Sequence, residues 1–276
     1  MDRVEALAKL SFGFTTLTQY PGSIGANNPA DGTVYRDGVA LENFATIRAG
    51  AGNYTEQAGN IDVFLQAEAS GDGNYNTLGR GFTLFDTSAL TAGATISAVV
   101  LSMFGIAKSN GLGTPVFYIA SATPASTNNL VDADYQQIGT TSFGSVAYAS
   151  FDETATVYTN VTLNADGIAN VSKTGISKFS HQLSWDILNS TTGLTWAASA
   201  TSGFAFRSSE TAGTTNDPKL VVTYTVSSIS PSISPSISPS VSPSVSISPS
   251  ISPSISPSIS PSISPSISPS ISPSIS

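Results

Sequence analysis

Hydrophobic and polar residues alternate along much of the chain, and a period of two marks a strand with one buried face. Leu220, Val222, Tyr224 and Val226 alternate with Lys219, Thr223 and Thr225. Val157, Val161 and Leu163 alternate with Thr156, Tyr158, Asn160 and Thr162. Further strands are expected at residues 12–17, 62–66, 81–85, 96–107, 115–120, 182–187 and 203–208. Turn chemistry separates them: Asn27-Asn28-Pro29, Asp31-Gly32, Gly71-Asp72-Gly73-Asn74, Ser109-Asn110-Gly111 and Asn216-Asp217-Pro218. Roughly ten short strands with turns every dozen residues predict an all-β antiparallel sandwich of the jelly-roll kind. A single helix is expected over 166–173, capped by Asp166, with Ile168 and Val171 facing inward.

The pattern breaks at Ser227. All charged residues (10 Lys and Arg, 18 Asp and Glu) precede it, and residues 227–276 contain only Ser, Ile, Val and Pro. Three regions follow: an N-terminal arm at 1–30, a β-sandwich head at 31–226 and a low-complexity repeat at 227–276. Near the N-terminus Leu10, Phe12 and Phe14 alternate, the pattern of a strand that a neighbouring copy accepts.

In the tail every even position from 228 is Ser, and the odd positions alternate between Ile or Val and Pro. The register breaks once, at Val245-Ser246-Ile247. A proline every fourth residue removes helix donors and clashes with the preceding turn, and it also interrupts a sheet ladder. The expected state is extended and polyproline-II-like, about 3.1 Å per residue and roughly 155 Å in all. With three residues per turn, a four-residue repeat steps isoleucine around the axis by about 120°, so no continuous apolar stripe forms. Thirteen uncharged β-branched side chains in this segment need cover in water. O-linked sugars on the serines would supply it, as in Ser/Pro-rich stalks. Candidate sites are Ser230, Ser232, Ser234, Ser236, Ser238, Ser240, Ser250, Ser252, Ser254 and Ser256, with Pro231, Pro235, Pro239, Pro253 and Pro257 as modifiable prolines. The alternatives are burial against neighbouring heads and a plain disordered linker.

Two stretches resemble a family. The first is Gly79-Arg80-Gly81-Phe82-Thr83-Leu84-Phe85-Asp86-Thr87-Ser88-Ala89-Leu90 with Gly93-Ala94-Thr95-Ile96-Ser97-Ala98. The second is Phe204-Ala205-Phe206-Arg207-Ser208-Ser209-Glu210 with Asp217-Pro218-Lys219-Leu220-Val221-Val222-Thr223-Tyr224. Together, over about 62–224, the chain resembles the DNRLRE-type jelly-roll domains of secreted bacterial surface proteins and related head domains of environmental phage proteins. The resemblance implies a jelly-roll sandwich on an extracellular surface, with polysaccharide as a ligand of some members. Plain turn chemistry accounts for the same Asp86, Thr87 and Ser88.

Charge and composition narrow the chemistry. A net charge of −8 without a basic patch offers no grip on phosphate backbones, which argues against nucleic acid. With no cysteine there is no thiol nucleophile, disulfide or Cys-based zinc site. The one histidine, His181, lies in a strand pattern, and no Gly-x-Ser-x-Gly elbow exists. The nearest carboxylate clusters, Asp132/Asp134 and Asp152/Glu153, fall in loops, where acidic side chains are ordinarily solvated. An enzyme is not expected, and no cofactor is implied. A structural calcium ion is the one metal candidate, at Asp72, Asn74 and Asn76, although Thr77 replaces the loop glycine and Thr83 the bidentate Glu. Trp185 and Trp196, with Tyr54 and Tyr75, are candidates for sugar stacking. N-glycosylation sequons stand at Asn53, Asn160, Asn170 and Asn189, about as many as composition alone would produce.

No apolar run is long enough to span a membrane. The first ten residues lack the continuous apolar core of a signal peptide, so export by another route is expected. These features predict a non-catalytic structural subunit of an extracellular fibre or appendage, with a head that binds other copies of itself. The alternative is a carbohydrate- or receptor-binding adhesin module whose tail is a spacer.

Overall fold

A computed structural model describes residues 13–22, 29–210 and 213–226. The chain divides into two units, Met1–Ile229 and Ser230–Ser276, and every described residue lies in the first. The polyproline-II expectation and the tail's Ser and Pro candidates therefore lie outside the described residues, as do Leu10 and Phe12.

Among the described residues fourteen strands form two antiparallel sheets. The smaller has the order β1 (Thr15–Gln19), β14 (Lys219–Val226), β7 (Ala94–Met103), β11 (Thr159–Thr162). The larger runs β10 (Gly144–Ala147), β9 (Val116–Ser121), β12 (Ile176–Leu183), β6 (Asn74–Asp86), β5 (Ile61–Ala67), β13 (Thr201–Phe206), β8 (Gly105–Asn110). Onto β6 the short strands β2 (Asp31–Arg36) and β3 (Glu42–Asn43) also pair, and β4 (Tyr54–Glu56) pairs with β2. The larger sheet curls into a half-barrel, and the protein is an all-β sandwich. Among the described residues are three short α-helices: α1 (Phe44–Ala49), packed on β3 and β6, α2 (Ala165–Asn170), on β7 and β9, and α3 (Ser184–Ile187), on β9 and β12.

Alternation places Ile61, Val63 and Leu65 of β5, Phe204 and Phe206 of β13, Val99 and Leu101 of β7, and Leu220 and Val222 of β14 in one core. Phe117 sits at its centre, packed against Phe151, Phe204, Phe206 and His181.

Several local expectations change. The strand expected over 96–107 divides at Phe104, where the chain passes from the smaller sheet to the larger. Gly105 permits that crossing, because a Cβ there would lie 1.9 Å from the Asp152 carbonyl oxygen. The stretch 182–187 is strand only to Leu183 and then turns into α3, which aims the Asp186 carboxylate at Arg80. Asn164, not Asp166, caps α2, its side chain accepting from Gly167 N at 3.0 Å, while Asp166 lies in the first turn. Asp31-Gly32 opens β2 instead of forming a turn, because buried Asp31 is held by Ser209.

Candidate functional site

The smaller sheet ends at β1, whose outer edge no strand pairs among the described residues. Directly opposed residues share a face, so Thr16, Thr223 and Ala98 form one outward row and Thr18, Val221, Val100 and Thr162 the next. β1 reads Thr-Thr-Leu-Thr-Gln, and no charged residue stands between Lys9 and Asp31. Lys219 starts β14, and its ammonium rests 3.9 Å above the Tyr158 ring. Phe14 is 73% exposed at the entry to β1, and Val226, at the end of the neighbouring strand, is 48% exposed. Natural edge strands are usually guarded by charge, proline or a bulge. β1 carries neither charge nor proline, and its pairing with β14 is regular.

The buried ionisable groups lie elsewhere and serve the fold. Arg80, 1% exposed, donates through Nε and Nη2 to the two oxygens of Asp186, each at 2.7 Å. Its Nη1 donates to the Tyr135 carbonyl at 2.8 Å and Nη2 to that of Arg48 at 3.0 Å, and its guanidinium lies 4.0 Å from the Tyr135 ring centroid. This fork ties β6 to α1, α3 and the turn at Asp132–Gln136. His181 is fully buried, bonded through Nε2 to Thr83 Oγ1 and stacked on Phe117; burial pushes its pKa down to about 3. Asp31 accepts both the backbone N–H and the hydroxyl of Ser209, yet burial pushes its pKa up to about 7. Asp217 is likewise raised to about 6, first by burial and then by Glu210.

The structure disperses the other candidates. Trp185 is 3% exposed and donates to the Thr192 carbonyl from the core. Trp196 is half-buried and donates to the Asn74 carbonyl, so the two indoles form no common platform. Tyr75 is buried against Phe44, whereas Tyr54 is exposed and stacks on Tyr35. Asp72 lies on the exposed 71–73 turn, and Asn74 and Asn76 belong to β6; among the described residues no three acidic or histidine side chains converge for a metal. Asp86 binds the Ser88 N–H at 3.0 Å in a turn. Asp134 caps its own turn through Val131 N, and Asp152 binds Thr154. Of the sequon residues, Asn53 exchanges two hydrogen bonds with the Asp37 backbone, and Asn170 donates to the Lys178 carbonyl. Asn160 and Asn189 are exposed, on β11 and after α3. No helix among the described residues is long and apolar enough to cross a membrane.

The sequence did not point to the Arg80–Asp186 fork. A lone Arg among apolar strand residues at 80 is the signal that would have found it, since such a residue stays buried only when paired. No family model matches the chain, and no curated protein matches it.

Proposed function

We propose that this chain is a non-catalytic structural subunit of an extracellular fibre or surface appendage. Its jelly-roll-like head associates with other copies of itself, and its 227–276 repeat is an extended, O-glycosylated strand. The observation that carries the reading is the β1 edge, uncharged and paired by no further strand among the described residues, with Phe14 exposed beside it. An uncharged strand edge next to apolar surface is a template for pairing with another chain, and proteins that stay monomeric ordinarily blunt it. The tail supports the reading through its composition, since β-branched residues at every fourth position without a single charge require cover. Arg80, Asp186, His181 and Asp31 are engaged in packing and hydrogen bonds within the head, which agrees with a structural role.

The test is sedimentation velocity and negative-stain microscopy of the full chain over a hundredfold concentration range. Ordered polymers that grow with concentration are expected. A stable monomer throughout would refute the proposal.

A further inference from the structure

On the outer face of the half-barrel, β5, β13 and β8 enclose an open trough of about 330 Å³. That is at the lower end of the roughly 300–1,000 Å³ range of ligand clefts. Its floor is small: Gly203 pairs with Phe64 on one side and Ser109 on the other, and Ala205 pairs with Ala107. Glycine is required at 203, where a Cβ would approach the Phe64 Cβ to 2.4 Å. The half-buried Phe64 ring forms one wall and packs at 5.9 Å against Tyr35, which stacks in turn on the exposed Tyr54 at 5.5 Å.

Four polar side chains surround this aromatic wall. Asp62 accepts the Tyr35 hydroxyl on Oδ2 at 3.3 Å, and its Oδ1 has no hydrogen bond among the described residues. The Gln66 amide and the Ser109 and Thr201 hydroxyls have no side-chain hydrogen bond among the described residues. Lys108 also borders the trough, but its ammonium turns away. It donates to the Phe151 carbonyl at 2.8 Å and lies 3.7 Å from Glu153. The trough therefore presents one carboxylate, an amide and two hydroxyls beside a ring, with no free cation.

We infer that this trough is a binding site for a neutral hexopyranose, presented by a free or chain-end saccharide. The apolar face of a pyranose suits the Phe64 ring, and its hydroxyls suit the carboxylate, amide and hydroxyls that line the trough. The lone Asp62 carboxylate accepts from sugar hydroxyls and repels uronic, sulfated or phosphorylated ligands. The site is independent of the β1 edge, which lies in the other sheet.

The experiment is saturation-transfer difference NMR on the full chain with the methyl glycosides of glucose, galactose and mannose, and with cellotetraose and mannotetraose. Transfer to the ring C–H protons of at least one sugar is expected. Ala107→Arg, at an exposed position, fills the trough and should reduce that transfer at least threefold with the melting temperature unchanged. Gln66→Ala should reduce it while leaving the fold intact by circular dichroism. No transfer to any of these sugars, or transfer that Ala107→Arg leaves untouched, would overturn the assignment. Tetramethylammonium binding that Asp62→Asn abolishes, without sugar binding, would overturn it in favour of a cation site.

Discussion

Replacing Asp186 with Ala leaves the Arg80 guanidinium buried without its counter-ion. In the native head both Asp186 oxygens are bonded to Arg80, and both side chains are 1% exposed. The mutant retains the Tyr135 and Arg48 carbonyls and the Tyr135 ring as partners, none of which carries a full negative charge. Arg48 also loses an oxygen at 3.2 Å, but its side chain is 21% exposed and water replaces the contact. Removing one partner of a buried ion pair costs about 3–5 kcal/mol, a large part of the roughly 5–15 kcal/mol that holds a domain together. Urea unfolding at pH 7, followed by Trp185 fluorescence and far-ultraviolet circular dichroism, reads this as a fall in midpoint at constant slope. The double variant Arg80→Met, Asp186→Leu removes both charges and should recover to within about 2 kcal/mol of the parent. A single-mutant loss below about 1 kcal/mol would show that Asp186 is not needed to hold the Arg80 charge in the interior. So would a double variant weaker than the single, because the cost would then lie in packing and not in the unpaired charge.

Acid titration should reveal two opposed contributions. His181 is held neutral down to a pKa of about 3, below its ordinary 6.5, so its contribution is full above pH 6.5 and lost as pH falls towards 3. His181→Phe should flatten that part of the stability profile in melts between pH 6.5 and 4. Asp31 has the opposite sign: raised to about 7 from 3.8, it contributes fully below pH 3.8 and loses that contribution as pH rises through 7. Asp31→Asn should therefore gain melting temperature relative to the parent at pH 8 compared with pH 5; an unchanged difference would contradict the assigned burial. Intact-mass spectrometry of native material should give a mass above the 28.2 kDa chain in sugar-sized steps mapping to 227–276, whereas an unmodified mass would remove the glycan coat from the proposal.

The alternating strands were the readable part of the fold, because burial on one face leaves a period-two trace. Lys219–Val226 falls where that trace places it, whereas the 156–163 trace yields strand only over Thr159–Thr162 and leaves Val157 55% exposed in the preceding bend. β2 was hidden because its residues are almost all buried, and its opening Asp31-Gly32 looks like a turn unless the distant Ser209 is known. α3 was read as strand because Trp185 and Ile187 continue the apolar pattern, while the attraction between Asp186 and Arg80 is a contact 106 residues apart. The trough was invisible for a related reason. Asp62, Phe64, Ser109 and Thr201 come from three strands, and only the pairing register brings them to one face. Tyr54, a stacking candidate whose exposure the sequence does not give, is exposed, while Phe64 and Tyr35 carry no sequence mark that separates them from core aromatics.

In the proposed fibre, β1 is the contact between copies. Thr16→Lys with Thr18→Lys places two charges on its outward face, at positions where the fold tolerates polar side chains. Sedimentation velocity on this variant and the parent, at matched concentration and low salt, should show polymer in the parent and a monomer of unchanged melting temperature in the variant. Polymer of equal size in both would show that β1 is not the contact between copies.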